Sequence, residues 1–186
     1  MSTALVVVDM INAFFEGEPL KPLRKELTAK VNELADAAKE KGIPVVNIRT
    51  QHERNKSTWT QSMIEDDQGF VFVGDDDAQN VEGLAVEDAV QVVKTRDNSF
   101  YGTDLEERLK NLHAEKIVIC GVSTHTCVAV TAAEAYARNR EVILAKDAIA
   151  SHVPDVHERT LELLNAEYRQ PILSNEEILR DVFGVS

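Results

Sequence analysis

The sequence predicts an α/β protein: a three-layer αβα sandwich around a mainly parallel sheet of five or six strands. Three observations carry this. Short β-branched apolar runs recur along the chain, amphipathic helical stretches separate them, and no internal repeat or low-complexity segment interrupts the alternation. Right-handed crossovers would then put helices on both faces of the sheet.

The first run, ALVVVDM at 4–10, is apolar on consecutive positions, as in a strand covered on both faces. Leu27, Val31, Leu34, Ala35 and Ala38 follow at helical spacing, and Gly42 ends that helix. PVVNIRT, 44–50, reads as the second strand. Residues 51–88 are polar, irregular and acidic, yet hold Trp59, Phe70, Val71 and Phe72, so they read as a long excursion from the sheet rather than a linker. AVQVVK, 89–94, is the third strand. Thr103 to Glu106 has the spacing of a capping box, opening a helix with Leu105, Leu109 and Leu112 inward. KIVICGV is the fourth strand, a helix runs from about Thr124 to Asn139, and EVILAKDA is the fifth strand. Val156, Leu161 and Leu164 mark another helix. Pro171 to Leu173 is a candidate sixth strand, and a second capping box at Ser174 to Glu177 opens the last helix.

The totals narrow the function classes. A length of 186 residues fits one domain with a sizeable core. The net charge of -12 argues against nucleic acid and against anionic membrane surfaces, but does not identify a partner. ALVVVDM is too short for a signal peptide and lacks a preceding basic region, and no segment is long and apolar enough to span a bilayer. The two cysteines, Cys120 and Cys127, form neither a disulfide framework nor a zinc knuckle. A cytoplasmic, reducing location is therefore expected.

In parallel sheets ligands bind outside the carboxyl ends of the strands. Those ends are predicted at Asp9, Arg49, Lys94, Gly121 to Ser123, and Asp147. An acid, a base and, a few residues beyond the fourth strand, a thiol converge there. Asp9 alone could cap a loop, and Lys94 alone could reach out to water. Buried together they need each other, because an unpaired buried charge is very costly. Cys127 falls in the first turn of its helix, where the partial positive charge favours a thiolate and free N–H groups can receive an oxyanion. Cys120 lies inside a strand and reads as core.

The segments VVVDMINAFF, VVKTRDNSFYGTDLEERL and ICGVSTHTCVAVTAAEAYARN resemble the isochorismatase-like cysteine hydrolase superfamily, which includes nicotinamidases and N-carbamoylsarcosine amidohydrolases. The likeness runs to about Ala150. It implies an isochorismatase-like, Rossmann-like fold and a Cys–Asp–Lys triad on Cys127, Asp9 and Lys94. It further implies a cis peptide bond between Val122 and Ser123, oxyanion donors at the Ser123 and Cys127 N–H groups, and a homo-oligomer. The sequence departs from the family pattern in two places. Ile11 and Ala13 stand where polar residues are common. Thr50-Gln51-His52 stands where nicotinamidases carry metal ligands in the order Asp-x-His. Without that carboxylate, His52 reads as a hydrogen-bonded or pocket-lining residue, and no metal or other cofactor is expected.

The reading is a metal-independent cysteine hydrolase of a small amide, with Phe14, Trp59, Phe100 and His125 as candidate substrate contacts. Two other readings use the same residues: a thiol-based redox sensor on Cys127, and a binding protein that has lost turnover. A nucleotide-binding role fits least, because the turn after the first strand has no glycine cradle for phosphate.

Overall fold

The computed structural model describes residues 2–185. Its strands are β1 (Ser2–Val8), β2 (Val45–Thr50), β3 (Val90–Lys94), β4 (Ala114–Val122), β5 (Glu141–Ala150) and β6 (Ile172–Leu173). They form one sheet in the order β3-β2-β1-β4-β5-β6, every neighbouring pair parallel. Both the sheet and its strand count agree with the sequence.

Alternation along β1 builds the three layers. Leu5 and Val7 face helix α1 (Leu20–Glu40), packing on Leu27, Val31, Leu34 and Ala38. Helix α6 (Asn175–Glu177), continued by a wide turn over Ile178–Val182, adds Ile178 to this layer. Ala4, Val6 and Val8 face the other way, onto α3 (Leu105–Asn111), α4 (Ala129–Ala137) and α5 (His157–Tyr168). Both faces of β1 are thus covered from Ala4 to Val8, which is why the sequence is apolar without a break over those residues. No helix among the described residues is long and apolar enough to cross a membrane.

The chain winds from β1 outward through β2 to β3, then returns to the other side of β1 as β4. The switch point therefore lies between the carboxyl ends of β1 and β4, where a crevice for ligands forms in such folds. Gly121 lets those two ends close up. Its φ is +109°, and a Cβ there would stand 2.0 Å from the Val8 carbonyl oxygen. We expect Gly121→Ala to destabilise the protein by about 3 kcal/mol, combining a strained backbone with a clash against main chain. Urea unfolding of the variant checks this, and an unchanged midpoint would refute it.

Three local expectations are corrected. The helix at 105 is not opened by a capping box: Asp104 is its N-cap residue, the Thr103 hydroxyl bonds locally to Ser99 and Leu105, and Glu106 is drawn to Arg140. The excursion is more ordered than its composition suggests. It contains a short helix, α2 (Gln61–Glu65), capped by the Thr60 hydroxyl, and Val71 and Ala78 pack on Ile11. The apolar Ile11 thus serves as the anchor of this segment. Finally, β5 runs two residues past the predicted end. Between the pairs Ile119↔Leu144 and Gly121↔Ile149 it carries three more residues than β4. The irregularity moves Asp147 away from the ligand edge. Its carboxylate instead accepts the Asn175 N–H at 2.8 Å, and Ser151 and His152 take the strand's end.

Candidate active site

The three residues singled out by the sequence meet at the switch point. Asp9 follows β1 with φ 51° and is fully buried. Its Oδ1 accepts the Thr50 N–H at 2.7 Å and the Thr50 hydroxyl at 2.9 Å. Its Oδ2 lies 2.8 Å from Lys94 Nζ. Lys94, the last residue of β3, is 1% exposed although it is the longest side chain in the core. Its ammonium also donates to Thr50 Oγ1 at 2.7 Å, to the Arg96 carbonyl at 3.0 Å and to Cys127 Sγ at 3.2 Å. A buried lysine needs this many acceptors to stay charged. Burial works against its charge, but the negative charges of Asp9 and of a Cys127 thiolate outweigh it and hold its pKa above the ordinary value.

Cys127 sits in the π-helical turn Thr124–Val128 that leads into α4, and its side chain is turned onto Lys94. Wide turns of this kind occur mostly at functional sites. The expectation that the helix start and Lys94 would pull the thiol pKa down is not met. Burial pushes it up, the Asp9 charge adds to the rise, and Lys94 opposes it. Cys120 is wholly buried in β4, and burial alone raises its pKa too.

The peptide bond between Val122 and Ser123 is cis. Ser123 begins the turn: its carbonyl accepts the N–H groups of Thr126 and Val128, and its hydroxyl accepts the His152 N–H at 2.9 Å, with His152 Nδ1 also at 2.9 Å. Ser123 and Cys127 both line a cleft of about 700 Å³ above the ion pair. Asp9 and Lys94 lie beneath its floor.

Of the four candidate substrate contacts, only Phe14 lines this cleft. Trp59 is instead the core of the excursion. Its indole N–H donates to the Glu53 carbonyl, its ring lies 6.2 Å from Phe72, and a Cβ on Gly69 would strike it at 2.4 Å. Phe100 packs in the layer of α3 and α4, with the Arg138 guanidinium 5.0 Å from its ring. His125 turns aside to Ser151 at 2.9 Å and stacks on His152. The sequence reading missed Arg96, Asp97, Tyr101 and His152, all of which line the cleft. The first three stand just past Lys94, in a run already quoted for its motif. His152 was hidden by the misplaced end of β5.

His52 does line the cleft. Its Nδ1 lies 3.0 Å from the Thr58 carbonyl, which can only accept, so Nδ1 carries the proton. Burial lowers its pKa. The hydroxyl of Thr50 is committed between Lys94 and Asp9, and the nearest ring to His52 is Phe70 at 5.9 Å. Among the described residues no three His, Cys, Asp or Glu side chains gather as a metal site. The donor set around His52 does not fit the divalent ion of nicotinamidases.

Comparison with known proteins agrees with the fold. A model of the isochorismatase domain matches residues 3–176. A protein of Arabidopsis thaliana named "Probable inactive nicotinamidase" is 30% identical over 186 residues, covering 92% of this chain and 93% of its own. A cysteine hydrolase from Pseudomonas syringae pv. phaseolicola superposes with a TM-score of 0.85 at 25% identity, over 96% of this chain and 91% of its own. The N-carbamoylsarcosine amidase of Thermoplasma acidophilum does so with a TM-score of 0.82 at 25% identity, over 96% and 99%.

Proposed function

The chain belongs to the isochorismatase family, and from that premise we propose that it is a metal-independent cysteine hydrolase of small non-peptide amides. The observation that carries the proposal is the placing of one buried ammonium between the Asp9 carboxylate at 2.8 Å and the Cys127 sulfur at 3.2 Å. Asp9 takes the thiol proton as Sγ attacks the amide carbonyl carbon. Carboxylate and thiol become carboxylic acid and thiolate, so the charge beside Lys94 is conserved and no bare charge is created in the interior. Burial and the Asp9 charge raise the thiol pKa, and a base beside the sulfur answers that need. Backbone N–H groups of Ser123 and Cys127 receive the oxyanion. Protonated Asp9 then gives its proton to the leaving nitrogen, the C–N bond breaks, and ammonia or an amine departs from a thioester. A water deprotonated by Asp9 attacks the thioester, releasing the acid and restoring the thiol.

The test is ammonia release from nicotinamide, an N-carbamoyl amino acid, a ureido acid and maleamate, by protein dialysed against a strong chelator. Turnover of at least one amide, unchanged by the dialysis, is expected. No ammonia above the Cys127→Ala background would end the amidase reading. Activity lost on chelation and restored by zinc or iron would overturn its metal independence.

A further inference from the structure

Among the described residues lining the cleft, Asp97 is the one carboxylate. It is exposed, lines the cleft, and its Oδ1 accepts from Cys127 Sγ at 3.6 Å. It takes part in none of the ion pairs among the described residues. Of the neighbouring positive charges, Lys94 is matched by Asp9 beneath the floor. Arg96, on the wall, has its N–H groups fixed by the carbonyls of Thr58 at 2.8 Å, Thr95 at 2.6 Å and Trp59 at 3.2 Å, bracing the excursion, and is paired with no carboxylate among the described residues. Burial lowers the pKa of His52. A carbonyl carbon poised about 3–3.5 Å from Sγ lies within a side chain's reach of Asp97.

Resting on the hydrolase reading above, we propose that Asp97 is the specificity-determining residue of this site. It selects small amides that are cationic, or neutral with N–H groups beside the scissile carbonyl, and rejects those carrying a carboxylate there. The carboxylate accepts hydrogen bonds from such N–H groups or pairs with a cation, and it repels an anion. The net charge of -12 acts in the same sense at longer range, until salt screens it.

The test separates charge selection from amide hydrolysis. Cys127 is converted to a mixed disulfide, with release of a sulfinate, by two thiosulfonate reagents of similar size, one bearing a trimethylammonium group and one a sulfonate, at low ionic strength, with non-reducing peptide mass mapping to assign the site. Because one thiol reacts with both reagents, the ratio of rates cancels any change in its pKa. Wild type should favour the cation on the order of tenfold or more. Asp97→Asn should bring the ratio close to one, and Asp97→Lys should invert it. In parallel, kcat/KM is measured for matched amides differing only in an ammonium, a hydroxyl or a carboxylate. The ammonium and hydroxyl compounds should lead in wild type, and the carboxylate compound should gain in Asp97→Lys. A wild-type labelling ratio near one, or one that survives in Asp97→Asn, overturns the role of Asp97. If no amide releases ammonia while the labelling ratio behaves as expected, the amidase reading fails but charge selection at Asp97 stands.

Discussion

Cys127→Ala abolishes hydrolysis, while Cys120→Ala leaves it within a few-fold of wild type. The two thiols differ in surroundings, not in intrinsic chemistry. Both are buried, and burial raises the pKa of both. Only Cys127 has an ammonium 3.2 Å from its sulfur to receive the charge of a thiolate, and only Cys127 lines the cleft. Cys120 has the Val6 carbonyl as its partner at 3.7 Å, a group that cannot stabilise an anion. Replacing it by Ala opens a small gap in a packed layer, a modest loss of stability. On the proposed mechanism, replacing Cys127 would remove the atom that bonds to substrate. Steady-state ammonia release by both variants, with circular dichroism to confirm folding, is the measurement. Iodoacetamide should label Cys127 well before Cys120. Loss of activity in Cys120→Ala with Cys127→Ala active would reverse the assignment.

Asp9→Asn lowers kcat/KM for an amide by roughly 10²–10⁴-fold, the usual loss when general acid–base help is removed, and lowers it much less for an activated nitrophenyl ester. A leaving amine departs poorly unless protonated, and a nitrophenolate needs no proton. Asn can still accept the Thr50 N–H and hydroxyl now made to Oδ1, but its NH2 then faces the Lys94 ammonium, which loses its counter-charge, so the difference between amide and ester, and not the fall itself, reports proton transfer. Lys94→Ala depresses both substrates, because it leaves the fully buried Asp9 without its counter-charge. Equal falls for amide and ester in Asp9→Asn would leave Asp9 as a structural partner of Lys94 alone. The comparison requires that both variants fold, which unfolding curves will show.

Much of this fold was legible because burial on both faces leaves a mark on composition. A central parallel strand such as β1 must be apolar wherever both its faces are covered, so it stands out from helices and loops. Edges and ends leave fainter marks. The last residues of β5 are small and mixed, and its irregularity against β4 has no sequence signature. The end of that strand was therefore placed too early, Asp147 was assigned to the wrong edge, and His152 was overlooked. The excursion misled in a similar way. Trp59 in a polar loop looks like a lid, yet loops of this length can bury a core of their own, and Trp59 fills it.

By itself the sequence determined the α/β class, the strand order in the chain, and the identities of an aspartate, a lysine and a cysteine at strand ends and a helix start. These follow from local periodicity and from the cost of burying an unpaired charge. Only the tertiary structure decided how they meet. Strands β1 and β3 are separated by β2, and Lys94 must cross that gap to reach Asp9, which no local pattern records. It also decided the direction in which the Cys127 pKa moves. A helix start favours a thiolate, but desolvation and a carboxylate beside the sulfur outweigh it. Desolvation depends on what every other part of the chain covers, so it exists only once the chain has folded.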